Sequence, residues 1–146
     1  VEDQGGLTAL EAAVALVLLL VLLGAALPQL FPTAVAVRTA ARELVADLAL
    51  ARQLAVSRAE AHVLEFGPPG GPFTRYTVRR ASGPDEPGFP KDLPAGLSVA
   101  GPGSVTFLPS GAAELPGTWA DWQLQSADES VTVRVWAQTG YARALR

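Results

Sequence analysis

Residues 7–27 carry only two polar side chains, Thr8 and Glu11, and this run constrains the chain more than any other feature. Wound as a helix, 21 residues rise about 31 Å, close to the thickness of a bilayer's hydrocarbon core. A membrane-spanning helix is therefore expected. The competing expectation is a cleaved secretory signal, with Ala34-Val35-Ala36 as its small-residue cleavage site. Against that stand the length of the run, the carboxylate of Glu11 inside it and the absence of a cationic stretch before it. The nearest basic residues, Arg38 and Arg42, follow the run, whereas the positive-inside tendency would put them ahead of it. The chain has no methionine, even at position 1, so residues 1–6 read as the remnant of a leader that would have carried that charge.

The rest of the 146 residues suffices for one modest domain. With no cysteine, disulfides and thiolate metal sites are excluded, and stability must come from packing or from assembly with other subunits. Three of the acids, Glu2, Asp3 and Glu11, belong to the first segment, so the remainder is electrically balanced and lacks the strongly basic footprint of a nucleic-acid binder.

After Pro28 and Pro32 the pattern of residues 34–62 is that of an amphipathic helix. Leu44, Leu48 and Leu54 or Ala55 share one side, with Arg42, Glu43, Asp47, Arg52 and Arg58 mostly on others. The Gly/Pro run 67–72 forbids helix and marks a loop. Beyond it the period changes to two. Residues 62–66, 74–81, 105–108 and 131–136 read as strands, and 82–96 as a long connection. The expected class is α+β: a long N-terminal helix, half membrane and half amphipathic, packed on an antiparallel β-sheet. The boundaries are a leader remnant at 1–6, a membrane helix with a proline kink at 7–33, and stem helix plus sheet at 34–146.

The opening Gly6-Leu7-Thr8-Ala9-Leu10-Glu11, followed by an unbroken apolar helix, resembles the substrates of prepilin peptidases, the type IV pilin-like proteins. The resemblance implies cleavage between Gly6 and Leu7 and methylation of the new amine. A glycine there suits a protease that must bind extended backbone. It also implies a role for Glu11, whose carboxylate costs on the order of 2.5–3.5 kcal/mol at a bilayer centre and less near its edge. In the family such a carboxylate pairs with the freed amine of its own chain or of a neighbouring subunit, setting register during assembly. The plain alternative is a carboxylate solvated at the membrane surface. Pro28 matches the family's helix proline, which removes a donor and kinks the helix; here the alternative is a simple helix end.

Residues 44–58 resemble the stem helix of the GspH/FimT group of pseudopilins and minor pilins, and 105–111 and 133–143 resemble its later strand-turn signatures. Some minor pilins of this group bind DNA through a C-terminal Gly-Arg-x-Arg motif. The stretch here is Gly140-Tyr141-Ala142-Arg143, with tyrosine for the first arginine. Arg134, Arg143 and Arg146 would then contact phosphates and Tyr141 stack on a base, a salt-sensitive and sequence-independent mode. The alternative is a solvated strand edge that discourages aggregation, which the neutral domain favours.

His62 has no ligand partners at metal spacing and reads as a surface residue at a strand start. Asp85, Glu86 and Asp92 lie in a Pro-rich loop and read as solvated loop charges rather than calcium ligands, and Trp119, Trp122 and Trp136 as core in preference to subunit-contact aromatics. No nucleophile triad or phosphate loop is identifiable, so no catalytic residue, metal or cofactor is assigned. The expected protein is a non-enzymatic minor pilin or pseudopilin subunit of a type IV pilus or type II secretion pseudopilus. Its expected partners are prepilin peptidase, other pilin or pseudopilin subunits and the bacterial inner membrane, which it crosses once with its soluble domain on the periplasmic side. A DNA-binding minor pilin for DNA uptake is the alternative, with DNA as a further partner.

Overall fold

The computed structural model describes residues 9–26 and 33–145. The chain divides into two compact units, Val1–Pro32 and Thr33–Arg146. In the first, helix α1 runs Ala9–Ala26, 18 residues with Glu11 as the acid of its first turn. Among the described residues no helix is long and apolar enough to cross a membrane.

The second unit opens with helix α2, Thr33–Arg58. The sequence pattern would carry it to residue 62. It stops earlier because Ala59 turns into the left-handed region, φ 51°, and the Glu60 amide bonds back to the Ala55 carbonyl, 3.2 Å. His62 is thereby released into the first strand. Val37, Ala40, Ala41, Leu44, Leu48, Ala51 and Ala55 are all buried, a stripe at spacings of three and four. Alanine at four of these positions brings the helix backbone close to its cover.

Nine strands follow among the described residues: β1 His62–Gly67, β2 Arg75–Arg80, β3 Lys91–Asp92, β4 Ser98–Ala100, β5 Ser104–Phe107, β6 Ala113–Glu114, β7 Trp119–Gln125, β8 Ser130–Trp136 and β9 Ala142–Leu145. They form two antiparallel sheets rather than one, ordered β3-β2-β1-β5-β6 and β4-β7-β8-β9. Helix α2 touches β1, β2 and β5 of the first and β7, β8 and β9 of the second. One core lies among the three layers. Its largest fully buried members are Trp122, Phe107, Leu44, Leu48, Leu64 and Leu124. The sheets also meet directly, where Phe66 stacks on Trp122 at 5.9 Å and Phe73 bridges to Val99.

Three polar residues are built into this interior, and each corrects an expectation. Asp47, placed on a polar helix side by the sequence, is buried. It accepts the Tyr76 hydroxyl at 2.6 Å and Lys91 Nζ at 2.8 and 3.0 Å, tying α2 to β2 and the edge strand β3. That hydrogen bond raises the Lys91 pKa; burial, with Asp47 beside it, raises that of Tyr76. His62 is fully buried rather than superficial, with Nδ1 2.9 Å from the Glu60 carbonyl and Nε2 3.3 Å from Glu86 Oε1. Glu86 is buried rather than solvated. It accepts Arg58 Nη1 in a short hydrogen bond and lies 3.7 Å from Arg80 Nε. The long loop 82–96 is thus pinned to the end of α2. The pairs Asp47–Tyr76, Asp47–Lys91, Arg58–Glu86 and His62–Glu86 join residues 24 to 44 positions apart, which is why they are not evident in the sequence.

The two turn signatures converge on Gly140, φ 60°. A methyl group there would run into the Gly111 carbonyl oxygen, with Arg52 of α2 and Phe107 behind it. That carbonyl also accepts Arg52 Nε, 3.1 Å. Gly140→Ala should therefore destabilise the chain by at least about 2 kcal/mol in urea unfolding. Gly96→Ala, with φ 82° but open space around it, should cost only about 1 kcal/mol. Equal costs would show that the close approach does not matter.

Arg58 holds the Glu86 carboxyl below its ordinary value of 4.5, chiefly through the hydrogen bond and against burial, which raises it. A carboxyl with a lowered folded pKa contributes stability in full above 4.5 and loses it as pH falls through the folded value. Arg58→Met should cost roughly 2 kcal/mol at neutral pH, discounted because Arg58 is partly exposed. It should also flatten the acid dependence of the unfolding midpoint. An unchanged acid slope would contradict the pairing.

Candidate functional site

The residues expected to act fall into two groups. In the first, Glu11 is exposed in the opening turn of α1, where a carboxylate also complements the positive end of the helix dipole. Gly6, Leu7 and Pro28 lie outside the described residues. In the second, Arg134, Tyr141 and Arg143 come together on the outer face of the β4-β7-β8-β9 sheet, and Arg146 lies outside the described residues.

Strict alternation builds that outer face. Along β7, Ala120, Trp122 and Leu124 point inward, leaving Trp119, Asp121, Gln123 and Gln125 outward. Along β8, Val131, Val133 and Val135 point inward, leaving Ser130, Thr132, Arg134 and Trp136 outward. Register then sets Trp119 opposite Trp136, Asp121 opposite Arg134, and Arg143 on the other side of Arg134. Arg134 donates from Nε and Nη2 to the two Asp121 oxygens, 2.7 Å each, a bidentate fork. These bonds lower the Asp121 pKa and raise that of Arg134. The guanidinium also lies 5.1 Å from the centre of the Trp119 ring. Arg134 is therefore neutralised locally, while Arg143 extends into solvent.

Tyr141 follows the turn closed by the Gly140 amide on the Trp136 carbonyl, 2.8 Å, and its ring stacks on Trp136 at 5.7 Å. Trp119 is 51% exposed and Trp136 half-buried, so only Trp122 of the three tryptophans is core. Trp119 and Trp136 border a cleft of about 320 Å³ completed by Thr118, Gln138 and Thr139. The platform is not evident in the sequence, because β7 does not read as a strand there. Its alternation was legible in Trp119 to Gln125, but Asp and Gln are poor strand formers and mask it.

Among the described residues there is no group of three or more His, Asp or Glu that could hold a metal ion. His62 and Glu86 are buried, with Arg58 and Arg80 paired to the Glu86 carboxylate.

Helix α2 presents a third surface. Val35, Ala46, Ala49, Leu50 and Val56 are exposed along the side opposite its buried stripe.

Comparison with known proteins places this geometry. The crystal structure of the type IV minor pilin FimU of Pseudomonas aeruginosa (strain PAO1) in space group P21 matches with a TM-score of 0.62 at 22% identity, over 75% of this chain and 88% of that one. The same protein in space group P65 matches with a TM-score of 0.60 at 21% identity, over 75% and 92%. At such identity the likeness bears on the fold alone. No curated protein matches significantly. The family model for type II transport protein GspH matches residues 40–139, which take in most of α2 and strands β1 to β8. The chain has the pilin-like fold and belongs to the GspH family.

Proposed function

We propose that the chain is a non-enzymatic structural subunit of a type IV pilus or a type II secretion pseudopilus. The observation that carries this reading is Glu11, the one charged residue of the 18-residue helix α1, which precedes a GspH-family domain. An acid in that position makes sense as one half of a charge pair whose other half is the amine exposed by cleavage between Gly6 and Leu7. Prepilin peptidase is the partner that makes the cut. Before assembly the subunit waits in the inner membrane, held by the apolar run 7–27. During assembly the exposed side of α2, with its mixture of small and apolar residues, packs against neighbouring stems, and Pro28 lets the stem bend.

DNA capture is the weaker reading. With Arg134 bound to Asp121, its described contacts reduce to Tyr141 and Arg143, too few cations for a salt-sensitive grip on phosphates.

Two measurements on cells that carry the assembly machinery test the proposal. Sequencing the mature N-terminus should find a start at Leu7, methylated. Glu11→Ala should still be cut but fall by about tenfold or more in sheared filaments, the loss expected for one charge pair. A start at Val37 would indicate a signal peptide, and normal incorporation of Glu11→Ala would remove the register role.

A further inference from the structure

Aromatic surface is left in water at one end of the β4-β7-β8-β9 sheet, although the same sheet buries Trp122 completely. Trp119 and Tyr141 are 51% and 56% exposed, Trp119 faces Trp136 across the β7–β8 register, and Tyr141 stacks on Trp136. The rings do not form a bare apolar patch. Their cleft is completed by Thr118, Gln138 and Thr139, two hydroxyls and an amide without charge. Beside it, the Asp121–Arg134 fork presents a carboxylate and a guanidinium that compensate one another while keeping unused hydrogen-bonding positions.

This combination selects a ligand chemistry. Indole faces attract flat, polarisable C–H surfaces by dispersion, and neutral amides and hydroxyls exchange hydrogen bonds with a polyhydroxylated partner. A phosphodiester chain would find no net cation in the cleft to displace its counterions. An apolar side chain would fit the rings but leave the Thr118 hydroxyl and the Gln138 amide without matched partners, while Thr139 Oγ1 already accepts the Tyr141 amide at 3.2 Å. We propose that the cleft binds an uncharged hexose oligosaccharide, one sugar ring lying against Trp119 and Trp136 and its neighbour hydrogen-bonded along the Asp121–Arg134 fork. The site lies on the sheet face away from α2.

The test uses the full chain in a zwitterionic detergent without a sugar headgroup, titrated separately with cellohexaose, chitohexaose, maltohexaose and oligothymidylate. Binding is followed by tryptophan fluorescence and calorimetry, with buried Trp122 as a constant background. At least one hexasaccharide should bind saturably. Trp119→Ala should weaken that binding about tenfold or more, the usual consequence of truncating an aromatic anchor. Gln138→Ala, at an exposed turn position, should weaken it without disturbing the fold, and oligothymidylate should leave the signal unchanged. Silence with all three saccharides overturns the proposal, as does saccharide binding that survives both substitutions. Oligothymidylate binding that Trp119→Ala abolishes also overturns it, and assigns the platform to single-stranded nucleic acid.

Discussion

The second unit depends on one constraint: a single helix face must be covered by two sheets at once. Val37, Leu44, Leu48, Ala51 and Ala55 are buried along one side of α2, and the cover comes from β1, β2 and β5 on one hand and β7, β8 and β9 on the other. Without cysteine, no covalent staple fixes that arrangement. Polar ties do so instead. Asp47 joins the helix to Tyr76 and Lys91, Arg52 joins it to the Gly111 turn, and Arg58 joins it to Glu86. Spaced along α2, they fix its rotation and axial position in a way that alanine and leucine contacts alone would not.

This placement leaves the opposite side of α2 and the outer face of the second sheet for other work. The two surfaces differ in chemistry. The helix side mixes Ala46 and Ala49 with Val35, Leu50 and Val56, suited to close helix packing. The sheet face is hydrogen-bonding along its length and aromatic at one end, suited to a polar ligand that stacks. In the proposed filament the helix side packs between stems and the sheet face is displayed outward.

The fold was legible wherever periodicity was strong. The buried stripe of α2 follows from leucine and alanine spacing, and β1, β2, β5 and β8 follow from alternation of β-branched and aromatic residues. The division into two sheets was not legible, because β4, β6 and β9 are two to four residues long and β7 alternates its core residues with Asp and Gln. The buried polar residues misled for a different reason: Asp47, His62 and Glu86 look solvated until partners from distant segments are brought to them. At the candidate site, Tyr141 and Arg143 stood out through the family motif. The neutralisation of Arg134 and the pairing of Trp119 with Trp136 depend on cross-strand register, which composition does not encode.

The central claim is that α2 divides its two sides between its own core and its neighbours. Because the chain has no cysteine, a single one can be introduced without background. Cells carrying the assembly machinery, with Ala46→Cys or Gln53→Cys on the exposed helix side, or Gln123→Cys on the outer sheet face, would be labelled through that cysteine with a maleimide-linked benzophenone and irradiated, so that the probe inserts into C–H bonds of whatever lies beside it. The account predicts cross-links from positions 46 and 53 to neighbouring pilin-like subunits and none from position 123. Cross-links from 123 with none from 46 or 53 would contradict it, placing the subunit contacts on the sheet and leaving the stem unpartnered.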